Sequence, residues 1–233
     1  MADKPIQRKP QRLTVAAICR RLAGVFGPVS PPPKGPVLDE LIATILSQNT
    51  SDANSGAAFD RLRDRFADWD AVRRAPVASI VQAIRQAGLA NRKAPRIRAI
   101  LRQIYRERGV LSLDFLCCLP TTEAYAYLRR FPGVGPKTAA CVLLFACGQR
   151  ILPVDTHVHR LSRRLGLIGP RTGAEQAHEE LARQVPAPRV LDFHIQLIRH
   201  GRSVCLARSP RCRECVLVDR CPEGHRRLRE VRT

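Results

Sequence analysis

The run Phe131-Pro132-Gly133-Val134-Gly135-Pro136-Lys137-Thr138-Ala139 places a lysine just behind two glycines and at the head of an apolar segment. Glycines lack a Cβ, so their backbone N–H groups can approach an anion, and the positive end of a following helix adds to the attraction. The same pattern also serves as a plain turn between helices. Lys137 adds chemistry to it. A cation in a first helical turn is disfavoured by the macrodipole, and desolvation by the apolar residues that follow lowers the pKa of an amine. Both effects favour a nucleophile. The competing reading is a lysine that binds phosphate as a point charge.

Eighteen residues on, Val154-Asp155-Thr156-His157 precedes Val158, Leu161 and Leu165, which share a helix face closed by Gly166. Asp155 suits an N-cap. Held at a helix start, the same carboxylate can accept a proton from an attacking amine or water, or stabilise developing positive charge. A third constellation is Cys205-x6-Cys212-x2-Cys215-x5-Cys221. Four soft donors in one short segment imply zinc or an iron–sulfur cluster. Only Cys212 and Cys215 form a close pair, whereas structural zinc usually takes two, so the spacing favours the cluster. Cys19, Cys117, Cys118, Cys141 and Cys147 lie among apolar residues and read as small core hydrophobes. His157, His159, His194 and His200 lack a ligand pattern with acidic partners and read as structural.

These groups need elements to hold them. Val15, Ile18, Leu22, Val25 and Phe26 follow helical spacing up to Gly27-Pro28. Leu38, Leu41, Ile42, Ile45 and Leu46 repeat it behind Pro36, and Val77, Ile80, Val81 and Ile84 repeat it before Gly88. A further helix carries Ile97, Ile100, Leu101 and Ile104, with Arg92, Lys93, Arg96, Arg98, Arg102 and Arg106 around the rest of its circumference as a cationic surface. Ala139, Ala140, Val142, Leu143, Leu144 and Ala146 are apolar all round, as a central helix would be. Thr172 with Glu175 forms a capping box ahead of Ala177 and Leu181. No stretch alternates with period two, so the fold class is all-α.

Composition narrows the partner. The chain has 233 residues, 45% of them apolar, enough for one ordinary core or two small ones. Forty Lys plus Arg against twenty Asp plus Glu gives +20 at pH 7, a balance that suits a polyanion such as nucleic acid. No apolar run is long enough to span a membrane, and MADKPIQRKPQR has no apolar signal core, so an intracellular chain is expected. In a reducing compartment disulfides are a poor explanation for nine cysteines.

Taken together, the hairpin lysine, the V-D-T-H string, the triplet His200-Gly201-Arg202 and the four-cysteine spacing resemble the endonuclease III family of helix-hairpin-helix-GPD DNA glycosylases, from about Val15 to Cys221. The resemblance implies two helical domains flanking a DNA-binding cleft. One would be a helical barrel with the helix-hairpin-helix motif over residues 37–149. The other would join residues 13–36 to 150–233 and hold a 4Fe-4S cluster on Cys205, Cys212, Cys215 and Cys221. Residues 1–12 would be a basic flexible arm. It further implies a monomer acting on double-stranded DNA with damaged bases or abasic sites, as a bifunctional glycosylase and abasic-site lyase for oxidised pyrimidines. Lys137 would attack C1′ of the flipped nucleotide, and Asp155 would activate it.

Members of the family fill the vacated space in the duplex with a glutamine from the loop after an early helix and a leucine in a G-L-x-N-x-K string. Here that string is Gly88-Leu89-Ala90-Asn91-Arg92-Lys93, so Leu89 is the leucine, and Ala90 replaces a commonly aromatic residue. Counting back from Asp52 without a gap puts Asn49 at the place of the glutamine, with Gln48 beside it; either could fill the gap. Gly133 and Gly135 would take a DNA phosphate, and Arg208 and Arg211 of the cysteine segment would add phosphate contacts. An adenine glycosylase of the same superfamily would share the cluster and the aspartate but usually lacks the hairpin lysine. A non-catalytic iron–sulfur DNA-binding protein would need neither Lys137 nor Asp155.

Overall fold

The computed structural model describes residues 13–31 and 33–230, so the basic arm expected over 1–12 lies outside the described residues. Twelve α-helices and five short 3-10 turns make up the regular structure of the described residues, with no strand among them, as the absence of period-two alternation predicts. The chain divides into two compact units. One is Pro32–Pro153; the other joins the residues up to Pro31 to those from Val154 onward.

The second of these begins with α1 (Val15–Phe26), whose Thr14 cap accepts a hydrogen bond from the Ala17 N–H at 3.2 Å. Val15, Ile18, Cys19 and Leu22 form its buried stripe, while Val25, expected in that stripe, is 51% exposed in the last turn of the helix. The larger unit contains α2 (Val37–Leu46), α3 (Asp52–Arg65), α4 (Trp69–Arg74), α5 (Val77–Ala83), α6 (Ala90–Arg108), α7 (Thr121–Arg129) and α8 (Pro136–Phe145). Its core runs from Val37 through the apolar faces of α2, α5 and α6 to α8, where Ala139, Val142 and Leu143 are fully enclosed. α8 is indeed buried on all sides from Thr138 to Leu144.

The chain then returns to the unit of α1 with α9 (Thr156–Arg164), α10 (Ala174–Ala182), α11 (Val190–Ser203) and α12 (Pro222–Glu230). α11 packs against both α1 and α9. Gln196 and Arg199 of α11 donate to the carbonyls of Gly27 and Phe26, at 2.8 and 3.1 Å, satisfying acceptors that the end of α1 leaves unpaired. The capping box expected from Thr172 and Glu175 does not form. Gly173 is the N-cap of α10, and the Thr172 hydroxyl donates instead to Glu180, while its carbonyl accepts from His159 Nε2 at 2.8 Å. With its hydroxyl and carbonyl drawn to other segments, Thr172 is not free to cap.

Two expectations about cysteine fail as well. Cys19 and Cys141 are buried thiols, but Cys118 is exposed, and Cys117 and Cys147 are joined as a disulfide. That bond ties the 3-10 turn Asp114–Cys118 to the chain just beyond α8. Thirty residues separate the pair, and nothing in their local sequence marks them as partners.

Candidate functional site

α7 and α8 flank the hairpin, which closes through a hydrogen bond from the Val134 N–H to the Phe131 carbonyl at 3.1 Å, with both side chains buried beneath it. Gly133 has φ +78°, the left-handed region where a side chain is strained, and a Cβ there would come within 2.9 Å of the Arg96 side chain. Gly135 is the N-cap of α8 without a side-chain cap, and Pro136 occupies its first turn, where a missing N–H costs nothing. The hairpin thus offers uncapped N–H groups at the positive end of a helix, beside a guanidinium from α6.

Lys137 is half-buried in that first turn. Gln48, on the segment after α2, donates from Nε2 to the Gly133 carbonyl at 3.2 Å and to the Thr138 hydroxyl at 3.1 Å, so it is seated on the hairpin on both sides of the lysine. Glu40 of α2 is a carboxyl that sequence reasoning missed. Burial raises its pKa, against a hydrogen bond from Thr44 and the charge of Lys137. Its only advance signal was an acidic residue on the margin of an apolar helix face.

The two candidates for entering a duplex share a peculiarity. Asn49 (φ +55°) and Leu89 (φ +51°) are the only non-glycine residues in the left-handed region among the described residues. Both are exposed at turns, Asn49 after α2 and Leu89 at the N-cap of α6, where 46% of the leucine faces solvent. Such backbone costs on the order of 1 kcal/mol per residue and persists where the surroundings enforce it, often at functional positions.

On α6, Arg92, Arg102 and Arg106 are exposed and Arg96 and Arg98 half-exposed. Lys93 departs from the cationic surface expected of it. It is only 2% exposed, with its Nζ on the carbonyls of Leu46 and Ala87. The signal was present in the sequence, since Lys93 lies four residues before Ile97 on the stripe that continues to Leu101 and Ile104.

In the other unit Asp155 is the N-cap of α9, its Oδ1 accepting from the Val158 N–H at 2.7 Å while the side chain stays half-buried. Gly201 of α11 has no room for a Cβ, which would meet His157 Nδ1 at 2.6 Å. That nitrogen accepts from Arg160 at 3.2 Å, and burial pushes the His157 pKa down.

Arg160 and Arg164 fasten the stretch of chain entering the cysteine segment. Arg160 donates to the carbonyls of Gly201 and Cys205, at 3.0 and 3.1 Å, and Arg164 to those of Leu206 and Ala207, at 2.7 and 2.8 Å. Neither arginine was singled out from sequence.

Cys205, Cys212, Cys215 and Cys221 all line one small cavity, together with Arg164, Val204 and Gly224. No group of three or more His, Cys, Asp or Glu among the described residues is arranged to hold a metal ion. The donor set and its surroundings nevertheless suit a bulky soft group. Arg164 donates to Cys205 Sγ at 3.1 Å and the Gly224 N–H to Cys221 Sγ at 3.3 Å. Burial first, and then the neighbouring cysteines, push the Cys215 thiol up to about 11. A bound cation is what would let thiols in such a place ionise together. His200 Nε2 lies 3.3 Å from Cys215 Sγ, and burial pushes its pKa down to about 4. Arg208 and Arg211 are exposed beside this cavity, Arg211 at 3.9 Å from Glu214.

Comparison with known proteins joins these features. Residues 42–187 match the HhH-GPD superfamily of base excision DNA repair proteins. A DNA glycosylase of Arabidopsis thaliana is 40% identical over 71% of this chain, which spans 57% of that relative's length. Endonuclease III of Sulfolobus acidocaldarius is 34% identical over 79% of this chain and 81% of its own. Among solved structures, an endonuclease III trapped as a covalent intermediate with DNA superimposes with a TM-score of 0.79 at 29% identity, over 93% of this chain and 99% of that one.

Proposed function

This chain belongs to the HhH-GPD superfamily of base excision DNA repair proteins, and on that premise we propose that it is a bifunctional DNA glycosylase and abasic-site lyase that removes oxidised pyrimidines from duplex DNA. The observation that carries the lyase half is Lys137, half-buried in the first turn of α8 directly behind the glycine hairpin. In this reading the Lys137 amine, deprotonated, attacks C1′ of the damaged nucleotide. The N-glycosidic bond breaks and its electron pair leaves with the base. The sugar ring opens to an iminium between Lys137 and C1′, a proton is lost from C2′, and the 3′ phosphate departs by β-elimination. Asp155 contributes the carboxylate that takes the proton from the amine and stabilises positive charge on the sugar.

Gly133 and Gly135 present backbone N–H groups to a phosphate, and the exposed arginines of α6 with Arg208 and Arg211 supply further contacts. Leu89 and Asn49 fill the space left by the flipped nucleotide. Gln48 is engaged with the hairpin, which favours Asn49 over Gln48 for that role.

The test is incubation with duplex DNA containing thymine glycol in the presence of borohydride. Hydride reduction of the iminium leaves a stable secondary amine, so a covalent protein–DNA adduct is expected. Base release without any adduct would reduce the activity to that of a simple glycosylase and overturn the lyase assignment.

DNA affinity should fall steeply with salt. Six phosphate contacts would give a log–log slope of roughly −5 at about 0.9 per phosphate. A slope near zero in a binding titration would detach the +20 charge from DNA recognition.

We also infer that Cys205, Cys212, Cys215 and Cys221 hold a 4Fe-4S cluster, which would supply structural cross-linking of the segment that bears Arg208 and Arg211. Cys212→Ser is expected to lose the visible charge-transfer absorption of iron–thiolate bonds and to lower soluble yield. Iron analysis and a visible spectrum check this; a colourless native protein containing zinc would refute it.

A further inference from the structure

One buried side chain reaches both turns that carry the candidate gap-filling residues. Lys93 is 2% exposed, and its Nζ donates to the carbonyl of Leu46 at 2.6 Å and to that of Ala87 at 2.9 Å. Leu46 is the last residue of α2, three positions before Asn49. Ala87 ends the 3-10 turn Arg85–Ala87, two positions before Leu89. Each carbonyl lies at a helical terminus, where no helical N–H comes round to meet it. The ammonium meets both, and so bridges the ends of two segments 41 residues apart in sequence.

An apolar core has little use for this charge. Enclosing an ammonium costs several kcal/mol unless its donors are well satisfied, and burial lowers the pKa of Lys93 accordingly. A methionine would fill the same space without that cost. What a methionine cannot do is hold two carbonyls at fixed positions. Those positions matter because Asn49 and Leu89, a few residues further along each turn, stand in left-handed backbone, which asparagine tolerates and the Leu89 side chain disfavours. Such backbone survives where neighbouring structure over-determines it.

We propose that Lys93 is a positioning residue whose side chain clamps the turn bearing Asn49 to the turn bearing Leu89, presenting both as one preset wedge to the duplex. The inference rests on the reading of Asn49 and Leu89 given above. Lys93 itself does not touch DNA, because it is enclosed; it acts through the two residues it holds.

Two substrates separate this role from plain stability. A thymine glycol opposite a base must be flipped out of a stacked pair, whereas a preformed abasic site needs less stacking broken. For Lys93→Met the single-turnover rate on the paired lesion is expected to fall roughly tenfold or more, and cleavage at the abasic site about threefold or less, since a few kcal/mol of unstacking separate the two. In a background lacking both gap fillers, Leu89→Ala with Asn49→Ala, the same substitution should cost less than about twofold further on the paired lesion, because residues acting through the same contacts are not additive.

Equal losses on both substrates, or full multiplication of the two effects, would overturn the clamp. So would a lower melting temperature with an unchanged ratio of the two rates, which assigns Lys93 to stability alone. Should Lys93→Met not fold, Lys93→Gln, which keeps a donor on a shorter arm, is judged by the same ratio. Leu89→Ala alone tests the underlying reading. If it leaves the paired-to-abasic ratio untouched, Leu89 is not a gap filler, and the fault lies there rather than with Lys93.

Discussion

Lys137→Gln is expected to abolish borohydride trapping and to reduce strand cleavage by roughly 10³ or more, while binding of damaged DNA survives. The glutamine keeps most of the length and a hydrogen-bond donor, so the hairpin should retain its shape. Gln48 anchors to Gly133 and Thr138, not to the lysine, and those bonds are independent of the substitution. What disappears is the amine proposed to form the iminium. Single-turnover cleavage, trapping and a gel-shift titration on the same duplex measure the three quantities. A borohydride-stable adduct at the wild-type level in the variant would show that another amine attacks. Retained cleavage without an adduct would show that the strand is cut by a different chemistry.

The second large effect is expected at Asp155, where one side chain carries two duties that substitution can separate. Its Oδ1 caps α9 through the Val158 N–H, and the carboxylate is assigned to proton transfer. Asparagine caps a helix about as well as aspartate, so Asp155→Asn should leave stability within about 0.5 kcal/mol. It cannot accept the proton, and base release should fall by about 10² to 10⁴. Asp155→Ala should show the same loss of rate together with about 1 kcal/mol of destabilisation from the missing cap. Thermal melting and single-turnover base release on all three proteins check the pair. If Asp155→Asn is as active as wild type, the aspartate is a cap and nothing more.

Much of the frame could be read from apolar spacing, since α1, α2, α5 and α6 each bury a stripe that repeats every three to four residues, and α8 is buried all round as its unbroken apolar run implies. The hairpin was legible because two glycines and a proline leave few alternatives before a helix. At Lys93 register outweighs residue type: its position on the stripe with Ile97 and Leu101 puts it inside. Other features had no local signature. The Cys117–Cys147 bond joins segments that meet only through the packing of the larger unit, and Arg160 and Arg164 find their carbonyls more than forty residues away. The left-handed backbone at Asn49 and Leu89 was hidden because neither residue is glycine, the usual marker of that conformation. The Thr172 capping box failed for a related reason. A local motif is only an offer, and tertiary acceptors made a competing one.

α8 is enclosed on every side, and Lys137 rides on its first turn. Amide protons in the middle of such a helix can reach solvent only when the whole unit opens, so they should be among the last to exchange with deuterium. Those of the turns at Asn49 and Leu89, which lie at the surface, belong nearer the fast end of the same scale. The amine proposed to attack is therefore mounted on an enclosed helix, and in that reading fluctuations in the search along DNA fall to the surface turns. Drift of the lysine by even an ångström would be costly to such an attack, and an enclosed helix is a support that limits it.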